Sequence, residues 1–221
     1  MGHSLGGLVA TLTVARSPAQ WQNGGLILLA PALDVERNLS MRIQEPIAGC
    51  LNIILPRARI VAAVRDEDMC KILVNPAAPS SSLLASRTRP AFRRVACFDS
   101  QPCRPRSLPQ DVVKKWKANA LNQPGNLPVR ISFSALQGFK EVQRLPPLNV
   151  PLLVIHGLAD KCTSPKAAEA FVAKAAAPDK AFVGLPGVKH MLLHEPEKEQ
   201  VFAALADWIA RRSAPGQRSY L

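Results

Sequence analysis

Met1-Gly2-His3-Ser4-Leu5-Gly6-Gly7 opens the chain, and an apolar, small-residue segment from Leu8 to Ala15 follows it. That segment predicts a buried helix, stopped at Arg16-Ser17 ahead of Pro18. Gly24-Gly25 then precede Leu26-Ile27-Leu28-Leu29-Ala30, a continuous apolar run ended by Pro31. Such a run between glycine and proline suits a strand buried on both faces. A tight turn, a helix and a buried strand in succession form one unit of a parallel sheet with helices on its faces.

The same alternation returns near the other end. Leu152-Leu153-Val154-Ile155 predicts a short buried strand, ended by His156-Gly157. Ser164-Pro165 reads as an N-cap with proline at the first helical position, opening a helix to about Ala176. Lys180 to Leu185 predicts a third strand. Glu195-Pro196 starts a last helix in which Val201, Leu205, Trp208 and Ile209 share one face.

These readings divide the chain. Residues 1–32 hold the serine turn and a core strand, and 150–212 hold the second half of the core. Residues 33–149 form a mainly helical cap inserted between two strands, where apolar helical periods appear and strands do not. A polar tail is expected at 213–221. Within the cap, residues 75–109 contain six Pro, six Arg and six Ser, no Lys, no Gly and only Asp99 as an acid. Proline breaks helix and sheet alike, so little regular structure is expected there.

The 221 residues suffice for one sizeable domain, and 48% hydrophobic with 20% charged residues is the composition of a folded globular protein. No apolar run is long enough to span a bilayer, and no basic segment followed by an apolar one marks a leader. Cys50, Cys70, Cys97, Cys103 and Cys162 are irregularly spaced and suit neither a zinc motif nor a disulfide framework. Reduced thiols in a cytoplasmic protein are the expectation. The net charge of +12 is concentrated between Arg57 and Arg130, where 14 basic and 5 acidic residues leave +9. A nucleic-acid surface wants aromatic rings among its cations. This stretch offers only Phe92, Phe98 and Trp116, so nucleic acid is not an expected partner.

Gly2-His3-Ser4-Leu5-Gly6 fits G-x-S-x-G, a sharp strand-to-helix turn that exposes its serine. The glycines are expected to leave room for the turn and for the helix to pack closely. The serine stands at a helix N-terminus, which favours a developing anion, and the backbone N–H of Leu5 is the expected oxyanion donor. A serine nucleophile needs a base, and the base needs an orienting carboxylate. Asp160 follows the strand at 152–155, on the carboxyl side where open parallel sheets bind ligands. His190 lies in the loop after the next strand. Ser4, Asp160 and His190 are therefore the candidate nucleophile, acid and base, with His194 the lesser candidate base. His156, before a glycine at a strand end, reads as structural, and His3 as shaping the turn. Asp179 and Asp207 read as solvated surface acids.

Three segments carry a more specific likeness: Gly-His-Ser-Leu-Gly-Gly at 2–7, Val-Pro-Leu-Leu-Val-Ile-His-Gly-Leu-Ala-Asp at 150–160, and Val-Lys-His-Met-Leu-Leu-His-Glu-Pro at 188–196. Over residues 1–65 and 110–212 the chain resembles the monoacylglycerol lipase and lysophospholipase family of α/β-hydrolases, which are serine hydrolases of the S33 type. The resemblance implies an α/β-hydrolase fold with Ser4, Asp160 and His190 as the triad. It further implies a monoacylglycerol or lysolipid ester as substrate and no cofactor or metal. Contact with a membrane or lipid-droplet surface through the basic segment is a further expectation.

Two departures from the family pattern set further expectations. The Pro/Arg/Ser stretch separates Val64-Arg65-Asp66 from Asp111-Val112-Val113-Lys114-Lys115-Trp116, which resemble near neighbours in the family, and Asn119-Ala120-Leu121 stands where members have Asn-Asp-Pro-Leu. Members also carry strands and a His-Gly loop before the serine turn, the loop supplying the second oxyanion donor. A chain that starts at the turn is therefore expected to lack that donor. The alternative reading is a catalytically inactive fragment of such a hydrolase.

Overall fold

A computed structural model describes residues 1–34, 45–61, 118 and 126–213, together with the backbone of 93–94. Its centre is a strand buried along its whole length, Leu152–Gly157 (β6). A strand can be apolar at every position only when both faces of its sheet are covered. The register makes this concrete. β2, Leu26–Leu29, runs parallel to β6 with Leu26 opposite Leu152 and Leu28 opposite Val154.

Period-two alternation sorts these side chains. Leu26, Leu28, Leu152 and Val154 point into one core, with Val14, Ala168 and Val172. Leu29, Leu153 and Ile155 point into the other, with Val201 and Trp208. The first core is closed by helices α1, Leu5–Arg16, and α4, Pro165–Lys174. The second is closed by α5, Lys198–Ser213. The sheet is completed by β1, Gly2–His3, β7, Lys180–Leu185, and β4, Arg93–Arg94, in the order β1-β2-β6-β7-β4 with every pair parallel. The parallel sheet with flanking helices, expected from the alternation, is the observed architecture.

Between the two halves lie α2, Ala48–Ile54, and α3, Val129–Arg144. Helix α3 packs on α1 so closely that a Cβ on Gly138 would sit 2.8 Å from Leu8 Cδ2. Leu8, Ala32, Leu33, Phe139 and Val142 form a third core there.

The structure departs from the sequence reading in its short strands, in the last helix and in α1. Strands do occur between 33 and 149. β3, Arg59–Val61, pairs antiparallel with β5, Leu127–Pro128, and β4, Arg93–Arg94, lies beside β7. Strands of two or three residues are too short to show a period. Apart from 93–94, the segment 75–109 lies outside the described residues, as does the tail after Ser213. The last helix begins at Lys198, after a 3-10 turn at Leu192–His194, and Ile209 is 48% exposed. Val201 and Trp208, two turns apart, centre the buried stripe, and Ile209 is turned about 100° beyond it. Helix α1 is likewise only half buried: Leu8, Thr11 and Val14 are covered, while Leu5 and Val9 are exposed.

Candidate active site

Every group of interest lies at the carboxyl edge of the sheet. Ser4 follows the two residues of β1 and caps α1 with φ +53°. This is a left-handed conformation that costs a non-glycine residue on the order of 1–3 kcal/mol. Backbone bonds hold it there. Ser4 N–H donates to Leu29 O (3.1 Å), and Ser4 O accepts from Gly7 N–H and Ala32 N–H, both at 2.9 Å. Gly2 is required by close approach, because a Cβ there would meet Gly6 O at 2.4 Å. Gly7 is required too, since its Cβ would meet Pro31 Cβ at 2.7 Å. Gly6 is not: nothing described lies within 4 Å of where its Cβ would be, which corrects the expectation that all the motif's glycines make room.

The loops after β6 and β7 are joined by their register. Gly157 pairs with Leu185, and from there Leu158 N–H donates to Leu185 O and Ala159 N–H to Val188 O, both at 2.9 Å. A Cβ on Gly157 would stand 2.4 Å from Val188 O and 2.3 Å from Lys189 O. Only glycine lets the segment leading to His190 pass so near β6. Gly157→Ala is therefore expected to push that segment outward. A displacement of about 1 Å is enough for a loss on the order of a hundredfold in turnover. The measurement is kcat for ester hydrolysis, with circular dichroism to show that the fold persists.

His190, 3% exposed, bridges the other two candidates. Its Nδ1 lies 2.7 Å from Asp160 Oδ2 and its Nε2 2.9 Å from Ser4 Oγ. An ionised carboxylate only accepts, so Nδ1–H is the donor to Asp160. Nε2 then carries the lone pair and accepts from the Ser4 hydroxyl. An imidazole so arranged can take a proton from the hydroxyl while the carboxylate stabilises the resulting charge.

Asp160 is built to stay ionised. Burial pulls its carboxyl pKa upward, but the His190 hydrogen bond, the charges of the two nearby histidines and the Thr163 N–H outweigh that and hold it below the ordinary value. Its Oδ1 accepts from Cys162 N–H (2.7 Å) and Thr163 N–H (3.1 Å), and its Oδ2 accepts from the Thr163 hydroxyl (2.9 Å) as well as from His190. Thr163 is a functional residue that the reading of the sequence did not single out. The spacing Asp-x-x-Thr, in which a backbone N–H and a hydroxyl fold back on one carboxylate, is the local signal for its contacts.

His156 is fully buried, with Nδ1 3.1 Å from Gly157 O and Nε2 3.3 Å from Thr163 Oγ1. Burial lowers its pKa against the opposing pull of Asp160. Its folded pKa thus lies below that of the unfolded chain. Between the two values the unfolded state binds more protons, so stability is complete above about pH 6.5 and declines as pH falls below it. Urea melts at pH 7.5 and 5.5 are expected to show this decline, and His156→Gln to reduce it by at most about 1.4 kcal/mol per pH unit.

The remaining sequence candidates fall outside this chain of bonds. His3 places its ring 5.1 Å from that of His190, with Nε2 3.3 Å from the His190 carbonyl. His194 is exposed in the 3-10 turn. Asp179 and Asp207 lie at the surface, paired with Arg212 and Arg211. One ligating atom from each of Asp160, Cys162 and His190 lies within 4.8 Å of the others. No helix among the described residues is long and apolar enough to cross a membrane.

The family model described as "Serine aminopeptidase, S33" matches residues 1–197. The chain belongs to this family. Among its relatives, human monoglyceride lipase is 26% identical over 97% of this chain and 58% of its own length. The monoacylglycerol lipase of Mycolicibacterium smegmatis is 31% identical over 45% of this chain and 36% of its own. This S33 chain therefore spans little more than half the length of the human relative it matches. Among solved structures, Paleococcus ferrophilus monoacylglycerol lipase superposes with a TM-score of 0.68 at 19% identity, covering 96% of this chain and 67% of that one. A soluble variant of the Saccharomyces cerevisiae monoglyceride lipase, in complex with a substrate analogue, gives 0.65 at 16% identity, covering 96% and 64%. At such identities the likeness concerns the α/β-hydrolase fold alone.

Proposed function

We propose that this S33 chain is a carboxylic ester hydrolase in which Ser4 is the nucleophile, His190 the general base and acid, and Asp160 the orienting carboxylate. The observation that carries this reading is the continuous chain of hydrogen bonds from Ser4 Oγ through His190 to Asp160, at 2.9 and 2.7 Å. Ser4 Oγ attacks the ester carbonyl as His190 Nε2 takes its proton. Negative charge develops on the carbonyl oxygen, beside the start of α1. The Leu5 N–H is one of the helix's first amides, which have no partner within the helix, and it serves as an oxyanion donor. Collapse of the tetrahedral intermediate expels the alcohol, which receives the proton from His190. Water then releases the acid by the same route. Asp160 keeps the proton on Nδ1 throughout.

The proposed substrate is a monoacylglycerol, the class named for the human and mycobacterial relatives, or a related lysolipid. The proposed surroundings are the cytoplasmic face of membranes or lipid droplets, met through the basic segment. A decisive test sets 1-monoacylglycerol against an aminoacyl p-nitroanilide, since the family also bears the name of an aminopeptidase. The expected result is glycerol release with no measurable anilide cleavage. Anilide turnover exceeding that of the monoacylglycerol would overturn the substrate class. A fluorophosphonate that fails to label Ser4 would overturn the reaction.

A further inference from the structure

The mechanism leaves Cys162 unused, although it sits on the loop that carries Asp160. Its N–H donates to Asp160 Oδ1, its side chain is half-buried, and it forms no disulfide. Its sulfur is the third corner of a group whose other corners are Asp160 and His190, all within 4.8 Å. Thiolate, imidazole and carboxylate together make the donor set of zinc-like cations, whereas magnesium and calcium prefer oxygen alone. We propose that Asp160, Cys162 and His190 form an inhibitory site for a thiophilic divalent cation such as Zn²⁺.

The geometry requires small movements. Tetrahedral zinc, with bonds of about 2.0–2.3 Å, holds neighbouring ligand atoms roughly 3.3–3.7 Å apart. From a group within 4.8 Å the sulfur has to close by up to about 1.5 Å, and the 2.7 Å Asp160–His190 pair has to open by about 0.6–1 Å. The cation takes the place of the proton on Nδ1, which passes through solvent to Nε2, and of the thiol proton, which is released. The ring of His190, still neutral, then carries its one proton on Nε2, facing Ser4 Oγ. It presents a donor where ester attack needs an acceptor, and the serine loses its base. The inhibitory consequence rests on the reading of Ser4 and His190 given above. The binding of the cation does not.

The test uses the full chain with Cys50, Cys70, Cys97 and Cys103 replaced by serine, so that Cys162 is the remaining thiol. Added Co²⁺ should give a thiolate-to-cobalt charge-transfer band that Zn²⁺ displaces and Mg²⁺ does not. Cys162→Ser should abolish the band, and His190→Ala should weaken Co²⁺ binding at least about tenfold. Zn²⁺ should inhibit ester turnover, with reversal by EDTA. In Cys162→Ser, half-inhibition relative to that variant's own metal-free rate should need about ten to a hundred times more Zn²⁺. Cys162→His, which restores a ligand without a thiolate, should recover zinc inhibition but not the band. Ser4→Ala should keep the band without turnover, so failure of the esterase reading and failure of the metal site are told apart. Absence of the band, its survival in Cys162→Ser, or equal zinc inhibition with and without the thiol would overturn the proposal.

Discussion

Ser4→Ala is expected to lower ester turnover by roughly a millionfold, because the members of a nucleophile–base–acid unit fail together when one is lost. The fold should be unaffected. Ser4 holds its position through its own N–H and C=O, bonded to Leu29 O, Gly7 N–H and Ala32 N–H, and alanine keeps all of these. Only Oγ, 2.9 Å from His190 Nε2, is removed. Melting temperature and circular dichroism should therefore match the parent while fluorophosphonate labelling disappears. Substantial turnover or labelling that survives the substitution would mean that another residue is the nucleophile.

The second large effect separates two histidines four residues apart. His190→Ala should cost about as much as losing the serine, since it removes both the acceptor for the Ser4 proton and the donor to Asp160. His194→Ala should change kcat by less than about tenfold, the side chain being exposed in the 3-10 turn. The two variants measured side by side on one ester, with fluorophosphonate labelling rates for Ser4, give the comparison. The opposite ranking would assign the base to His194. It would require the 188–196 loop to rearrange before reaction.

Several parts of this arrangement were legible in the chain itself. The runs Leu26–Leu29 and Leu152–Ile155 are apolar at consecutive positions, and a residue-by-residue apolar run bounded by Gly and Pro is a property of the segment alone. The Ser164-Pro165 helix start is equally local, because the Ser164 side chain itself accepts from Ala167 N–H; the Ser4 turn is legible as G-x-S-x-G, although bonds to Leu29 and Ala32 hold it. Asp160 and His190 followed from these elements, each in the loop after a strand, and Ser4 followed from its own motif.

What the chain could not disclose is decided between segments. That Gly157 must lack a side chain follows from Val188 O and Lys189 O, which approach it only because β6 and β7 pair in the register Gly157 opposite Leu185. That Gly6 tolerates more than its motif suggests, and that Gly7 does not, depends on where Pro31 comes to rest. Ile209 has the hydropathy of a core residue, but the phase of α5 against the sheet leaves it in solvent. Of five cysteines, the sequence marks none. Only the folding of the 160–163 loop around the Asp160 carboxylate brings Cys162 beside His190. Hydropathy and turn chemistry are written residue by residue. The meeting of two loops is set by strand register, and register is fixed by the packing of the whole sheet between its helices.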